Sequence, residues 1–305
     1  MAYQTGVATN FADLYNKLRN FLTSDTTLVG LGQNWTQIAG STGTLTGATG
    51  DWIVLQGPGL AGDDQILVCL HPYSDGVTQT YNLSAMGFVA YNPALDILAQ
   101  VNSSTRAVLP AFNQPMDYWF VANGRRFIVV ARVSTYWMTL YAGLILPNVL
   151  PDAWPYPLYV GGSNAGGATG ATQNWQTTGQ SVRSFWNGWT GCGKLLLPDV
   201  LWYDTSNWAT SSGDGQQTTG VNVNPFRYDV AEVIANLDGS MPLEQAVIVS
   251  DSPYQAQLGR FDGLFRCPAL GNAAGNIIQV GGVDHIVVQN VYRTARYDYA
   301  AIALQ

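Results

Sequence analysis

Residues 118–146, YWFVANGRRFIVVARVSTYWMTLYAGLIL, restrict the fold more than any other stretch of the chain. Two runs rich in β-branched and aromatic residues flank Asn123-Gly124, a dipeptide suited to the positive φ angles of a type I′ turn. Beyond the turn, Phe127, Val129, Ala131 and Val133 fall on one face of a strand, and Arg126, Ile128, Val130 and Arg132 on the other. A third apolar run over 136–146 completes the pattern of an antiparallel three-stranded meander.

The pattern returns near the C-terminus in residues 277–304. At a shift of 158 (282 − 124 = 158), Gly124 meets Gly282 and Ile128-Val129-Val130 meets Ile286-Val287-Val288. Val133 meets Val291, Tyr141-Ala142 meets Tyr299-Ala300, and Leu146 meets Leu304. Gap-free matches at turn, strand core and last strand favour an internal duplication over convergence. The expected fold is therefore mainly β, with two β-sandwich or barrel-like modules, an N-terminal amphipathic helix and one short helix in the second half. The expected organisation is a helical segment over 1–28, a first β module over 29–160, loops rich in Gly, Thr and Asn with a connecting strand over 161–224, and a second β module over 225–305.

Residues 10–22 carry the helix. Asn10 caps it, Asp13 suits its positively polarised first turn, and Phe11, Leu14, Tyr15, Leu18, Phe21 and Leu22 form one apolar stripe. Such a stripe packs by default on its own domain. Strands are expected at 52–55, 65–70, 81–91, 246–250 and 263–267, with a strand-like run at 195–203 and the short helix at 228–237. The proline-rich segment 147–157 should lie extended over the surface. The tracts 40–50, 161–180 and 205–224 read as polar loops.

Charged residues make up only 11% of the chain, against 47% apolar, with 10 Trp and 16 Tyr. A surface this poor in charge and rich in aromatics suits a permanent assembly better than a free monomer. The net charge of −7 and two lysines argue against nucleic acid. Neither a signal peptide nor a membrane-spanning run is evident, and three scattered cysteines give no disulfide framework.

Candidate chemistry is thin. Gly188-x4-Gly193-Lys194 imitates a phosphate-binding loop, but Leu195 stands where a Ser or Thr would hold magnesium and Pro198 would stop the helix. His71, in an expected loop, and His285 read as structural histidines, and no metal-ligand spacing is present. Asp63, Asp64, Asp117, Asp152, Asp199, Asp204 and Asp262 could supply the carboxylates of a glycan hydrolase, though sequence cannot pair them. Trp154, Trp175, Trp186, Trp189 and Trp208 lie in or near Gly, Pro and polar segments, where an exposed indole could stack on a sugar; anchoring at a subunit contact or in the core is the favoured reading.

The strings PMDYWFVANGRRFIVVARVSTYW (115–137), PYPLYVGGS (155–163), FDGLFRCPALGNAAGN (261–276) and VGGVDHIVVQNVYRT (280–294) resemble a family of virion structural proteins of tailed bacteriophages. The opening helix followed by Asn34-Trp35-Thr36 fits the same family. The resemblance spans most of the chain and carries no catalytic residues. It implies a tail component at the tip, baseplate or collar, made in the bacterial host cytoplasm and residing in the virion. Such a protein would form a trimeric or hexameric ring around the tail axis and dock other tail proteins. It would be neither an enzyme nor a cofactor, metal, nucleic-acid or membrane-inserting protein. Phe11, Leu14 and Leu18 of the helix and Trp154 and Tyr156 of the proline-rich segment are the expected assembly contacts. The alternatives are a receptor-recognition protein that binds host surface glycan through Trp175, Trp186, Trp189 and Trp208, and a carbohydrate-active hydrolase.

Overall fold

The computed structural model describes residues 1–41, 51–59, 64–77, 79–165, 182–187, 192–207, 221–224, 241–250, 256–269, 271–295 and 298–305. The chain opens with β1 (Ala2–Ala8), α1 (Phe11–Ser24) and a short α2 (Thr26–Gly30). Then come β2 (Thr36–Gly40), β3 (Ile53–Gly57), β4 (Ile66–Asp75), β5 (Thr80–Phe88) and β6 (Ala107–Pro110). The first meander is β7 (Met116–Ala122), β8 (Arg126–Val133) and β9 (Tyr136–Leu144). It is followed by β10 (Leu146–Pro147), β11 (Leu158–Gly162), β12 (Asn164–Ala165), β13 (Gly193–Leu196) and β14 (Trp202–Asn207). After β15 (Val221–Asn224), β16 (Glu244–Ser250) and β17 (Ala256–Arg266), the second meander is β18 (Ile277–Val280), β19 (Val283–Gln289) and β20 (Tyr299–Ala303).

The fold is mainly β, and the described strands form no closed barrel. The described strands form two sheets. The smaller runs β2-β3-β4-β5-β6-β12, and the larger runs β1-β7-β8-β9-β11-β13-β14-β15-β16-β17-β20-β19-β18. Neighbours are antiparallel except β14 and β15, which run parallel. The larger sheet folds back on itself: β10 pairs with β17, and the Trp137 N–H donates to Val291 O at 2.9 Å.

This fold-back places the second meander over the first. Between them lies one core, in which Val121, Ile128, Val130 and Tyr141 meet Leu264, Ile286, Val288 and Ile302. The opposite face of the first meander, with Phe120, Phe127, Val129 and Leu140, packs under α1 and the smaller sheet. The alternation along β8 is therefore as expected, but both faces are buried. Each large apolar side chain so removed from water contributes about 1.5–3 kcal/mol before chain entropy is subtracted.

Helix α1 follows its expected outline. Asp13 N donates to Asn10 Oδ1 at 2.9 Å, and all six stripe residues are buried in the chain's own core. The turn at Asn123 departs from expectation. Neither Asn123 nor Gly124 takes a positive φ; Asn123 Oδ1 instead accepts the N–H groups of Arg125 (2.8 Å) and Arg126 (3.0 Å). The left-handed pair occurs in the second meander, where Gly281 and Gly282 have φ of 61° and 81°.

The two meanders also differ in register. Ile128 faces Tyr141, whereas its counterpart Ile286 faces Ile302 rather than Tyr299. The 158-residue alignment thus holds for the central strands, while the last strand is displaced by three positions. β4 extends to Asp75 through Pro72, beyond the expected 65–70, so His71 is on a strand. Proline is tolerated there because β3 pairs only as far as Leu70, leaving that edge of β4 open. The run at 195–203 is two strands, β13 and β14, separated by a turn in which Val200 has φ of 61°. The helix expected at 228–237 lies outside the described residues.

Candidate functional site

A polar convergence lies at the turn 123–126, where three parts of the chain meet. From the smaller-sheet side, Trp35 Nε1 donates to Asn123 O at 2.9 Å, and Gly59 N donates to Gly124 O at 2.8 Å. Arg125 Nε lies 3.6 Å from Asp64 Oδ2. A Cβ on Gly124 would stand 2.4 Å from Gly59 O, so glycine is needed here for closeness rather than for φ.

From the second half, Asp262 of β17 accepts Asn123 Nδ2 at 2.8 Å and Arg126 Nε at 3.1 Å. Arg126 is fully buried. Its Nη2 reaches Met1 Sδ at 2.8 Å, while its Nη1 has no partner among the described residues. Gly263, with φ of 77°, leaves room for the guanidinium: a Cβ there would lie 2.5 Å from Arg126 Nη2. Burial raises the Asp262 carboxyl pKa, but the guanidinium and the hydrogen bonds of Asn123 and Arg126 outweigh it and hold the group below its ordinary value. On the meander's own side, Leu144 N donates to Arg125 O at 2.8 Å. The arrangement is a clamp.

A second buried arginine contrasts with this one. Arg106 is 3% exposed, and its Nε and Nη1 have no partner among the described residues. Burial, and then the positive charge of Arg106, lower the His71 pKa to about 3, so its imidazole is neutral at ordinary pH. Both ring nitrogens of His71 are likewise without partners among the described residues. His285 is structural as expected: its Nδ1 lies 2.9 Å from Val283 O and its ring packs edge-on against Phe265.

The residues expected to mediate assembly are placed inward. Phe11, Leu14 and Leu18 lie in the core beneath the smaller sheet, so the helix stripe is not free to meet a neighbour. Trp154 is buried, with Nε1 donating to Leu196 O at 3.0 Å, and Tyr156 is half-buried against the same core as the helix. Of the glycan candidates, Trp186 is 1% exposed and packs edge-on against Phe185, so no sugar ring can stack on it. Trp175, Trp189 and Trp208 lie outside the described residues. Within the proline-rich segment the exposed large hydrophobic side chains are Val149 and Leu150, which its tryptophan and tyrosine overshadow in the sequence.

The candidate carboxylates are dispersed. Asp117 pairs with Arg132, Asp204 with Lys194, Asp64 with Arg125 and Asp262 with Arg126. Asp199 accepts Leu201 N and the Tyr203 hydroxyl within a turn, Asp152 is exposed on a short 3₁₀ turn, and Asp63 lies outside the described residues. Lys194, the lysine of the phosphate-loop imitation, sits on β13 rather than at a loop-to-helix junction. Burial pushes the Cys69 and Cys267 thiols up to about 12, which keeps them protonated. Among the described residues no three His, Cys, Asp or Glu side chains cluster as metal ligands, and no helix is long and apolar enough to cross a membrane.

The Arg126–Asp262 partnership was hidden from sequence, its members being 136 residues apart. One signal did point toward it: Arg126 shares a strand face with Ile128 and Val130, and a charge on an apolar face needs a buried partner. Comparison with protein-family models and with curated proteins finds no match for the chain.

Proposed function

We propose that this protein is a structural component of a bacteriophage tail, at the tip, baseplate or collar, that assembles with copies of itself into a ring around the tail axis and docks neighbouring tail proteins. The observation that carries this reading is the clamp at 123–126. There hydrogen bonds and ion pairs from three parts of the chain, around the fully buried Arg126, lock the smaller sheet, the first meander and β17 into one body. Stiffness of this kind suits a part that transmits position and force between neighbours. The scarcity of charge, 11% of residues, suits a surface covered by other subunits. The phage-like strings at 115–137 and 261–276 add to the same reading, and they include the two sides of the clamp, Arg126 and Asp262.

With the helix stripe and Trp154 committed to the core, docking falls to exposed groups such as Val149 and Leu150, which are 47% and 77% exposed. The test is light scattering on the purified protein together with imaging of the particle that encodes it. A closed ring of three or six copies located on the tail is expected. A stable monomer at all concentrations, absent from the particle, would overturn the reading. Leu150→Asp should lower incorporation into particles without changing the fold seen by circular dichroism.

A further inference from the structure

We propose that β1 is a docking edge for β1 of a second copy of this chain, the two strands running antiparallel about Thr5. Among the described residues β1 is the outermost strand of the larger sheet and pairs on one side only, with β7. All seven of its residues hold an unbroken register from Ala2↔Ala122 to Ala8↔Met116. Apart from that ladder, the hydrogen bonds of residues 2–8 among the described residues are those of the Gln4 and Thr5 side chains to Tyr118. The outward main-chain donors and acceptors of alternate residues are thus unpaired among the described residues. The strand, AYQTGVA, contains no charge and no proline, the usual guards of such an edge.

Other outer strands are less suited. β2 carries a register irregularity between Gln37 and Ala39, β18 has four residues and β12 two. What selects a second copy is the symmetry of β1 itself. Its burial runs buried, exposed, intermediate, exposed, intermediate, exposed, buried, a pattern identical read from either end about Thr5. A two-fold axis at Thr5 sets Tyr3 against Val7 of the copy, Thr5 against Thr5, and Gln4 against Gly6. Tyr3 and Val7 are 48% and 55% exposed in the single chain. Aromatic with β-branched and threonine with threonine are favourable cross-strand neighbours.

A contact of this kind is isologous and closes on itself. It therefore goes beyond the ring reading: it joins protomers in pairs and leaves ring contacts to other surfaces.

The test uses charge reversal in the full chain. Thr5→Lys and Thr5→Glu each place like charges opposite one another across the proposed axis, and their equimolar mixture places unlike charges there. By size exclusion with light scattering, each variant alone should show half the mass of the wild type, and the mixture should regain it. The dissociation constant of each single variant should rise by about tenfold or more. Thr5→Cys provides a second readout, because the other cysteines described are buried and oxidation should yield a single disulfide-linked pair. Variants with wild-type mass, a mixture that stays unpaired, or Thr5→Cys chains that fail to crosslink would each overturn the proposal. A ring whose mass ignores position 5 removes this contact and leaves the ring reading intact. A wild type that is monomeric throughout removes both.

Discussion

The two meanders share a sequence pattern and face one another across one core, yet their turns are built on opposite principles. The turn at 123–126 is buried and held from three sides, and its glycine is needed because Gly59 O approaches so closely. The turn at Gly281-Gly282 is open: a Cβ on either glycine would meet nothing within 4 Å, and glycine serves only the left-handed backbone. The same residue type at matched positions thus solves a packing problem in one region and a dihedral problem in the other. The first turn joins parts of the molecule, and the second only reverses the chain.

The largest effect expected from this contrast is at Asp262. Asp262→Ala leaves the fully buried Arg126 without its carboxylate and should cost about 3 kcal/mol in urea unfolding. Arg126→Met in the same background should recover much of the loss. A loss under about 1 kcal/mol for Asp262→Ala would show that the clamp is not the main joint. Next come the matched glycines. Gly124→Ala should cost about 2 kcal/mol through overlap with Gly59 O, and Gly282→Ala about 1 kcal/mol through backbone strain alone. The reverse order would break the comparison.

The smallest effect is in the response to acid, where the two regions should oppose one another. The Asp262 pKa is lowered in the folded chain, so its contribution is present above the ordinary carboxylate value of 3.8 and is lost as pH falls through its folded value. Asp298, just before β20, is shifted the other way: burial raises it, against the hydrogen bond from Asn290. Its folded form binds a proton more readily, so acidification through its folded pKa toward 3.8 stabilises, and raising the pH through that window destabilises. Asp262→Asn should therefore flatten the acid limb of the stability profile, and Asp298→Asn should remove an opposing slope at higher pH.

What could be read from the chain alone was local. Asn10 and the apolar spacing from Phe11 to Leu22 announced α1, and alternation beyond the Asn-Gly turn announced the first meander, because these signals are set by neighbours a few residues apart; the second meander was read from its match to the first. The turn chemistry at Asn123 misled because an Asn-Gly pair serves both a left-handed turn and an Asx turn, and only the approach of Gly59 decides between them. β1 went unrecognised because AYQTGVA carries little apolar alternation and depends on β7 for its place. Trp154 and Trp186 are core anchors, the reading favoured for them over sugar stacking, because an indole contributes most when buried even where its flanking residues are polar.

Strand β8 lies at the centre of the fold, with Phe127 and Val129 in one core and Ile128 and Val130 in the other. Loosening either core exposes half of the same strand. The regions it connects should consequently melt in a single transition, with the β8 amides among the slowest to exchange with deuterated solvent.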